Sequence, residues 1–352
     1  MLDAARWTVL APLLQAATAG PDLLDATIRG LTPGAVAEEV LKEIGEHDVR
    51  LDLTFDGVTT SHLLAGADVV VSLDLADAVR GLYAGQPWSS LAVSTPDPEI
   101  DERGVQGWFA ARKGLAPSVQ GLLSALRPVR RDLGELAVEL GTDKWGDLHW
   151  YTQHYERHFA RLRTEPVRVL EIGIGGWDDP DSGGGSLRMW QRFFPRGLVH
   201  GLDIARKNVS GPRIMTVRGD QSDAEFLDRL GRELGPFDVV IDDGSHFNDH
   251  VRTSFHALFP HVRPGGLYVV EDLQTAYWPG WGGHPEGTDG TSIGMLKSFV
   301  DGLNHAEVGD PRGTGTSLQR TISGISFHHN IAFVEKGLNA EEGGPEFLRT
   351  FY

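Results

Sequence analysis

Cysteine is absent from this chain of 352 residues. Disulfides, zinc sites built on thiolates and cysteine nucleophiles are therefore excluded. Basic residues are also few, because 32 lysines and arginines stand against 49 acidic residues and leave a formal charge of −17. A surface of that sign repels phosphate backbones and anionic lipid, so we expect neither nucleic acid nor a membrane as partner.

Long apolar runs are scarce as well. Residues 7–19 form the one stretch worth testing as a targeting signal, but Pro12 and Gln15 interrupt it and Asp3 cancels the charge of Arg6. The stretch is too short to cross a bilayer and lacks the positive leader of a signal peptide. We expect an amphipathic helix here and a cytoplasmic protein.

The chain length suggests two domains. We predict an N-terminal auxiliary domain over 1–130, of mixed α+β type, and a second domain over 131–352. In the first domain, a helix begins near Pro33, and strands over 49–55 and 58–64 flank an Asp56-Gly57 turn. Another strand is predicted over 69–73, a loop over 87–103 and a helix over 118–126. The segment has no catalytic constellation, so a docking or oligomerisation role is expected.

The second domain alternates strands with helices, which is typical of an open parallel α/β sheet. Predicted strands cover 167–172, 198–203, 214–217, 237–241 and 267–270, and predicted helices include 224–234 and 251–259. Residues 322–327 and 331–335 are expected to add an antiparallel hairpin. The predicted fold class is α/β, with a Rossmann-like, mostly parallel sheet.

Glycines follow the first of these strands. Gly173 and Gly175 lie two and four residues beyond Glu171, and they allow a sharp turn and a close approach to a ligand. A dinucleotide fingerprint would place a third glycine where Asp178 stands. An acidic turn suits a cationic, phosphate-free cofactor better, so we expect S-adenosylmethionine, with Glu171 at its amino acid end.

The next two strand ends are consistent with a bound nucleoside. Asp203 ends the second strand, where a carboxylate can accept both ribose hydroxyls. Gly219, Asp220 and Gln221 follow the third strand and are placed to bound the adenine. Because Asp203 also fits NAD, a nicotinamide-dependent oxidoreductase remains an alternative.

Four carboxylates follow the fourth and fifth strands: Asp242, Asp243, Glu271 and Asp272. Two carboxylates 4 Å apart repel by about 4 kcal/mol at an effective dielectric constant near 20, so such a cluster favours a cation. Oxygen ligands favour Mg²⁺, with Mn²⁺ or Ca²⁺ possible. We assign Asp243, Glu271 and Asp272 as metal ligands, while Asp242 faces the cofactor or orients nearby backbone.

His246 lies three residues beyond Asp243 and can face the same cavity. An imidazole is suited to take a proton from a hydroxyl group that a metal holds in line with a methyl donor. We therefore predict His246 as the general base.

Several ordered blocks between about 139 and 335 closely resemble the metal-dependent macrolide-sugar O-methyltransferases of the mycinamicin type. The blocks are GTDKWGDLHWYTQHY at 141–155, LEIGIGG at 170–176, GGGSLRMW at 183–190, RGDQ at 218–221, IDDGSH at 241–246, and ED at 271–272 followed by TAYWPG at 275–280. The resemblance implies a class I methyltransferase sheet, S-adenosylmethionine, Mg²⁺ and methylation of a deoxysugar hydroxyl on a glycosylated polyketide. By position it again makes Asp243, Glu271 and Asp272 the metal ligands and His246 the base, and it implies an auxiliary domain and a homo-oligomer, with a tetramer favoured.

The resemblance also places the segment before the first strand over the cofactor, which makes Thr142 and Tyr151 candidate cofactor contacts. Ser186, after three glycines, is placed to bind the cofactor carboxylate at a helix N-terminus or to cap that helix.

Three aromatic residues follow the predicted metal ligands in a glycine-rich stretch: Tyr277, Trp278 and Trp281. We expect them to form a lid that stacks on the substrate, although an internally packed loop is an alternative. A catechol-type small-molecule methyltransferase and a non-catalytic scaffold with a vestigial cleft remain as other interpretations of the chain.

Overall fold

The computed structural model describes residues 4–45, 49–63, 69–94, 119–126, 131–146, 149–288, 290–307, 318–340 and 343–344. Within these ranges the strands form two separate sheets, one of four strands in the first half of the chain and one of seven in the second.

The first half begins with helices and continues into the smaller sheet. Pro33 occupies the first turn of a helix, where its missing N–H costs nothing, and the Thr32 hydroxyl accepts a hydrogen bond from the Ala35 amide. The elements are α1 (Ala4–Ala16), α2 (Pro21–Leu31), α3 (Pro33–Ile44), β1 (Arg50–Phe55), β2 (Val58–Leu63), β3 (Val70–Asp74), α4 (Leu75–Ala84), β4 (Ala92–Ser94) and α5 (119–126).

The small sheet has the strand order β2-β1-β3-β4. The predicted hairpin is confirmed, and its turn residues Asp56 and Gly57 both have positive φ, as a type I′ turn requires. The loop predicted over 87–103 is wrong at residues 92–94, which pair antiparallel with β3. That strand is short and exposed along its length, so it shows no alternation of apolar and polar residues. Residues 95–103 lie outside the described ranges.

The first helix confirms that this stretch is helical, and it buries Leu10, Leu13 and Leu14. The predicted amphipathic character is wrong, because apolar residues lie all around the helix and not on one face. None of the helices in the described ranges combines the length and the apolar character that a membrane span needs.

The second half contains every strand predicted for it. The helix predicted at 224–234 is confirmed with the same bounds, and the helix predicted at 251–259 is confirmed over 248–258. The elements are α6 (Leu133–Leu140), α7 (Thr152–Phe159), β5 (Arg168–Ile172), α8 (Gly185–Phe193), β6 (Leu198–Asp203), β7 (Ile214–Arg218), α9 (Ala224–Leu234), β8 (Phe237–Asp242), α10 (Asn248–Leu258), β9 (Val262–Val270), α11 (Ser292–Leu303), β10 (Ile322–His328) and β11 (Ile331–Lys336).

The large sheet has the order β10-β11-β9-β8-β5-β6-β7, with the β10–β11 hairpin antiparallel and the other strands parallel to one another. The chain leaves β5 toward β6 and β7, then returns to place β8 on the opposite side of β5. Such a switch point opens a crevice at the carboxyl ends of the strands. The register brings those ends level, because Ile172 pairs with Asp242 and Asp242 pairs with Val270.

Both faces of the large sheet are covered by apolar side chains, as its parallel strands require. Val169 and Ile241 belong to the core on one face, and Leu170 and Val240 belong to the core on the other. The first half has its own core around β1 and β3. The domain boundary at 130/131 stays a prediction, since residues 127–130 lie outside the described ranges.

The two halves contact each other along α1, α3 and the β6–β7 side of the large sheet. The ring of Trp7 stacks on that of His200 in β6, with centroids 5.0 Å apart. The Arg196 guanidinium donates to the Leu14 carbonyl at 2.6 Å, and Arg213 pairs with Glu43 at 3.0 Å. His200 is therefore enclosed between the halves, and its Nδ1 lies 3.0 Å from the Val169 carbonyl oxygen.

Acid should weaken the fold through His200. Burial lowers the pKa of this histidine from 6.5 to about 4, so the folded protein binds the proton less readily than the unfolded chain does. The stabilisation is complete above pH 6.5 and is lost as the pH falls toward 4. We expect a loss of about 2 kcal/mol in the free energy of unfolding between pH 7.5 and 5 from this group. Denaturant unfolding at both pH values measures it.

The matched variants for this measurement are His200→Gln, which should flatten the dependence, and His329→Gln, which changes an exposed histidine and should leave it intact. An unchanged pH dependence in His200→Gln would show that other groups cause it.

Candidate active site

Two turns meet where β5 and β8 end. Gly173 has φ +91°, and a Cβ placed on it would lie 2.0 Å from the carbonyl oxygen of Asp243. The amide of Asp243 in turn donates to the Ile172 carbonyl at 3.0 Å. Only glycine allows so close an approach. The turn after β5, residues 173–176, is called the glycine turn, and the turn after β8, residues 243–246, is called the acidic turn. The two turns are in direct backbone contact.

The glycine loop closes on itself before α8. A Cβ on Gly176 would lie 2.4 Å from the backbone of Ser182, and the Gly184 amide donates to the Ile174 carbonyl at 2.8 Å. Gly175 has open space around it. The loop thus places Gly173 and Gly175 at the crevice, and their predicted contact with a cofactor stays a prediction.

Glu171 points into the protein. Its carboxylate accepts from the Trp190 indole at 3.0 Å and from the Ser186 hydroxyl at 2.7 Å, and its exposure is 0%. Burial raises the pKa of Glu171, although the charge of Lys144 opposes this. Ser186 therefore serves neither as a side-chain cap of α8 nor, in this arrangement, as a donor toward the crevice. Cofactor contacts by these two residues stay predictions.

Asp203, at the end of β6, borders the crevice. Its two carboxylate oxygens accept from the amides of Ile174, at 3.0 Å, and Ala205, at 2.8 Å. Each oxygen can accept a second hydrogen bond. The side chain is partly exposed and is held in one orientation, which suits the binding of a diol.

The residues after β7 have three different environments. The Gly219 amide donates to the Asp203 carbonyl at 2.9 Å, and Phe226 packs so closely that a Cβ on Gly219 would collide with it. Asp220 is exposed and accepts from the amide and hydroxyl of Ser222. Gln221 is buried, and its Oε1 accepts from the Ser245 amide at 2.9 Å. Gln221 thus holds the acidic turn, and its predicted place beside adenine is not tested.

Asp242 is buried in a polar network below the acidic turn. It accepts from Gln221 Nε2 at 2.6 Å, from the Tyr268 hydroxyl at 3.2 Å and from the Ser254 hydroxyl. Burial raises the pKa of Asp242 to about 6, and the Ser254, Tyr268 and Gln221 hydrogen bonds oppose that shift. All three donors are side chains, so both predicted roles of Asp242, contact with a cofactor and orientation of nearby backbone, stay predictions.

Asp243, His246 and Asp272 come together at the mouth of the crevice. One ligand atom from each lies within 4.8 Å of the other two, and no other group of this kind occurs in the described parts of the chain. The Nε2 atom of His246 lies 3.4 Å from Asp272 Oδ2. His246 and Asp272 have φ values of 59° and 53°, an uncommon conformation for residues with side chains. We call these three residues the outer cluster.

Glu271 lies on the inner side of that cluster. Its Oε1 accepts from the Lys144 ammonium at 2.7 Å and from the Tyr155 hydroxyl. Burial and the charge of Asp243 raise the pKa of Glu271 well above its ordinary range. Asp243 and Asp272 thus lie together as predicted, whereas Glu271 is engaged elsewhere, and its assignment as a metal ligand stays a prediction.

Lys144 is the residue that sequence reasoning missed. Its side chain is fully buried, and its ammonium lies 2.8 Å from Asp243 Oδ2, 2.7 Å from Glu271 Oε1 and 3.4 Å from Glu171 Oε1. Burial alone would lower the pKa of Lys144, but the charges of Asp243, Glu271 and Glu171 outweigh it and raise this pKa well above its ordinary value. The available signal was its position within the block 141–155.

Two further side chains of that block hold Asp272. The Tyr151 hydroxyl donates to Asp272 Oδ1 at 2.8 Å, and His149 Nε2 lies 3.4 Å from the same oxygen. The rings of His149 and Tyr151 are stacked, with centroids 4.5 Å apart. Thr142 accepts from the Lys144 amide at 3.3 Å. Tyr151 therefore supports Asp272 and Thr142 supports Lys144, and their predicted cofactor contacts are not tested.

The aromatic residues after β9 are exposed at the surface. Tyr277, Trp278 and Trp281 are 39%, 46% and 37% exposed, and the two indoles lie edge to face with centroids 5.5 Å apart. The segment is held from below, because the amide side chain of Asn248 donates to the Trp281 carbonyl at 2.9 Å. This exposure is consistent with a stacking surface, and the role in substrate binding stays a prediction.

Comparison with known proteins gives several similarities that extend over most of this chain, while no family model matches it. The mycinamicin VI 2''-O-methyltransferase of Micromonospora griseorubida is 53% identical over 258 residues, which are 72% of this chain and 64% of that protein. The demethylmacrocin O-methyltransferase of Streptomyces fradiae is 54% identical over 245 residues, which are 68% of this chain and 61% of that protein. The chain thus spans less than two thirds of the length of these two relatives.

Other similarities extend over more of the chain. The 8-demethyl-8-(2-methoxy-alpha-L-rhamnosyl)-tetracenomycin-C 3'-O-methyltransferase of Streptomyces olivaceus is 41% identical over 347 residues, which are 93% of this chain and 85% of that protein. The solved structure of the MycE methyltransferase in complex with Mg, S-adenosylhomocysteine and mycinamycin VI matches with a TM-score of 0.87 and 39% identity, over 100% of this chain and 98% of that one.

The contact between the two turns gives a test at single residues. Gly173→Ala and Gly175→Ala both place a side chain at positive φ, which costs about 1–2 kcal/mol. At Gly173 the new Cβ also meets the Asp243 carbonyl, whereas at Gly175 it meets open space. We expect Gly173→Ala to lower the free energy of unfolding by about 1–3 kcal/mol more than Gly175→Ala does. Denaturant unfolding measures both, and equal losses would contradict the close contact.

Proposed function

The chain belongs to the macrolide-sugar O-methyltransferase family of the mycinamicin type, and from this membership we propose that it methylates a deoxysugar hydroxyl of a glycosylated polyketide. S-adenosylmethionine is the methyl donor in this proposal and Mg²⁺ the metal. Support comes from the similar MycE structure, which is a complex with Mg, S-adenosylhomocysteine and mycinamycin VI.

The observation that carries the proposal is the outer cluster beside the glycine turn. Asp243 and Asp272 supply the oxygen ligands that Mg²⁺ prefers, and His246 lies next to them. The backbone contact between Gly173 and Asp243 supports the proposal as well, because it joins the turn proposed to bind the methyl donor to the turn proposed to bind the metal. When bound, the metal lowers the pKa of a hydroxyl that it contacts, and S-adenosylmethionine supplies an electrophilic methyl group.

The chain's own residues then have distinct roles. His246 takes the proton as the sugar oxygen forms a bond to the methyl carbon and the carbon–sulfur bond breaks, which leaves a methyl ether and S-adenosylhomocysteine. Asp272, 3.4 Å from His246 Nε2, orients the imidazole and stabilises it once it is protonated. Asp203 is proposed to bind the ribose hydroxyls, and Tyr277, Trp278 and Trp281 to stack on the sugar or macrocycle.

The relatives bear on the alternatives. All the proteins named above are methyltransferases, which favours methyl transfer over a nicotinamide-dependent oxidoreductase and over a scaffold without activity. The name of the tetracenomycin relative specifies a rhamnosyl acceptor, which favours a sugar hydroxyl over a catechol. We also propose that the chain forms a homo-oligomer, with a tetramer favoured by the resemblance, and that it is located in the cytoplasm.

Methyl transfer should require the metal and the outer cluster. With methyl-labelled S-adenosylmethionine and a panel of glycosylated polyketides that includes mycinamicin VI, we expect label in an acceptor, loss of transfer in EDTA and recovery with excess Mg²⁺. Asp272→Asn should lower kcat/KM at least about 100-fold, because it removes the charge that serves both metal and base. The exposed Asp249→Asn on α10 is the control and should retain activity. Full transfer in EDTA would contradict the proposal.

The proposed base can be tested separately from binding. His246→Gln should lower kcat by about 10²–10⁴-fold, because the proton acceptor is lost, and should leave the affinity for S-adenosylhomocysteine within about twofold. Calorimetry measures the affinity and product formation measures kcat.

Two other histidines serve as comparisons. His256→Gln changes an exposed residue of α10 and should behave as wild type. His149→Gln removes the other imidazole beside Asp272, and it should affect kcat less than His246→Gln does. The reverse order would assign the base to His149.

A further inference from the structure

A buried ammonium group joins three neighbouring strands of the large sheet. Lys144 lies between α6 and α7, and its side chain reaches Glu171 in β5, Asp243 after β8 and Glu271 after β9. Those strands are adjacent in the order β9-β8-β5. The ammonium therefore lies beneath the mouth of the crevice, with the outer cluster above it.

The backbone of Lys144 is held as firmly as its side chain. Its carbonyl accepts from the amides of Tyr151, at 3.0 Å, and Thr152, at 3.3 Å, both at the start of α7. Its own amide donates to the Thr142 hydroxyl at 3.3 Å. The ammonium is thus a positive charge held in one place, and three carboxylates lie within 3.4 Å of it.

Asp243 belongs to two groups at once. Its Oδ2 accepts from Lys144 at 2.8 Å, and the residue also contributes to the outer cluster with His246 and Asp272. Asp243 is 23% exposed, whereas Lys144 is fully buried. A metal bound from the open side and the lysine on the inner side would therefore share one carboxylate.

Glu271 shows a second effect of the ammonium. Lys144 and Tyr155 both donate to its Oε1, and only 2% of the side chain is exposed. The residue next to it, Asp272, faces the outer cluster instead. As long as the ammonium is present, Glu271 is held on the inner side, next to Asp243 and outside the outer cluster.

We propose that Lys144 is a positioning residue that acts as a built-in counter-cation: it holds Asp243 and Glu271 in place before metal binds, and it thereby limits the affinity of the site for a divalent ion. The inference rests on the metal site in the proposed function. A fixed positive charge beside a shared ligand repels a second cation, and it also restrains Glu271, so its removal should strengthen metal binding for both reasons.

A competing explanation is that Lys144 only supports the metal ligands, and it predicts weaker metal binding when Lys144 is removed. Residues that hydrogen-bond to metal ligands often support binding, and their loss typically costs 10–100-fold in affinity. If Lys144 only supported its neighbours in this way, its removal would weaken metal binding. The sign of the change therefore separates a counter-cation from a merely structural residue.

The test is Mn²⁺ binding to the full chain, followed by the paramagnetic resonance signal of free Mn²⁺, without methyl donor or acceptor. Lys144→Gln retains a donor and removes the charge, and we expect it to bind Mn²⁺ at least fivefold more tightly than wild type. The rise in Tm on adding metal should also be larger in the variant. Unchanged or weaker binding in Lys144→Gln, with normal binding by wild type, would overturn this inference alone.

Lys207→Gln is the matched control. Lys207 is also buried, at 6% exposure, but its ammonium contacts the backbone carbonyls of Trp177 and Asp179. This variant should retain the wild-type Mn²⁺ affinity even if its Tm falls. If wild type itself binds no Mn²⁺, the proposed metal site fails, and this inference fails with it.

A charge-balanced variant keeps the test decisive if Lys144→Gln does not fold. Lys144→Gln with Glu171→Gln removes one cation and one anion together, so the net charge of the buried group is unchanged. Glu171 is the most distant of the three carboxylates, at 3.4 Å. We expect this double variant also to bind Mn²⁺ at least fivefold more tightly than wild type, and binding equal to that of Glu171→Gln alone would overturn the inference.

Discussion

Like charges are crowded at one edge of the large sheet because its parallel strands end level with one another. Asp243 and Glu271 follow strands that lie side by side, and Glu171 lies near the end of the next strand. Their mutual repulsion would oppose folding if nothing balanced it. The buried ammonium of Lys144 lies among all three. The start of α7 hydrogen-bonds to the Lys144 backbone, and Tyr155 donates to Glu271 beside the ammonium.

Much of this arrangement follows from local sequence. Strands such as 237–242 are almost wholly apolar, their acidic ends are unmistakable, and the level ends of parallel strands bring those acids together. Asp243, His246 and Asp272 could therefore be placed in one cluster from the sequence, as could the glycine turn beside them. The small strand at 92–94 could not, because its exposed side chains show no pattern.

The directions of buried polar side chains were not predictable in the same way. Lys144 meets Glu271 across 127 residues of sequence, and no periodicity indicates such a pair. Glu171 and Gln221 lie close to strand ends, as Asp203 does, yet they turn inward to Trp190 and Asp242, respectively. Each turns toward the partner that satisfies it when water is excluded, and only the assembled fold provides that partner.

The absence of any side chain at Gly173 also bears on how relatives can diverge in the acceptors they modify. The backbone at Gly173 contacts that of Asp243, so neither turn can be reshaped without displacing the other. Trp278 and Trp281 lie in an exposed segment, which the side chain of Asn248 holds through a hydrogen bond to the Trp281 carbonyl. Under the proposed function, different acceptors would therefore be accommodated by changes in these exposed rings, while the glycine turn stays the same.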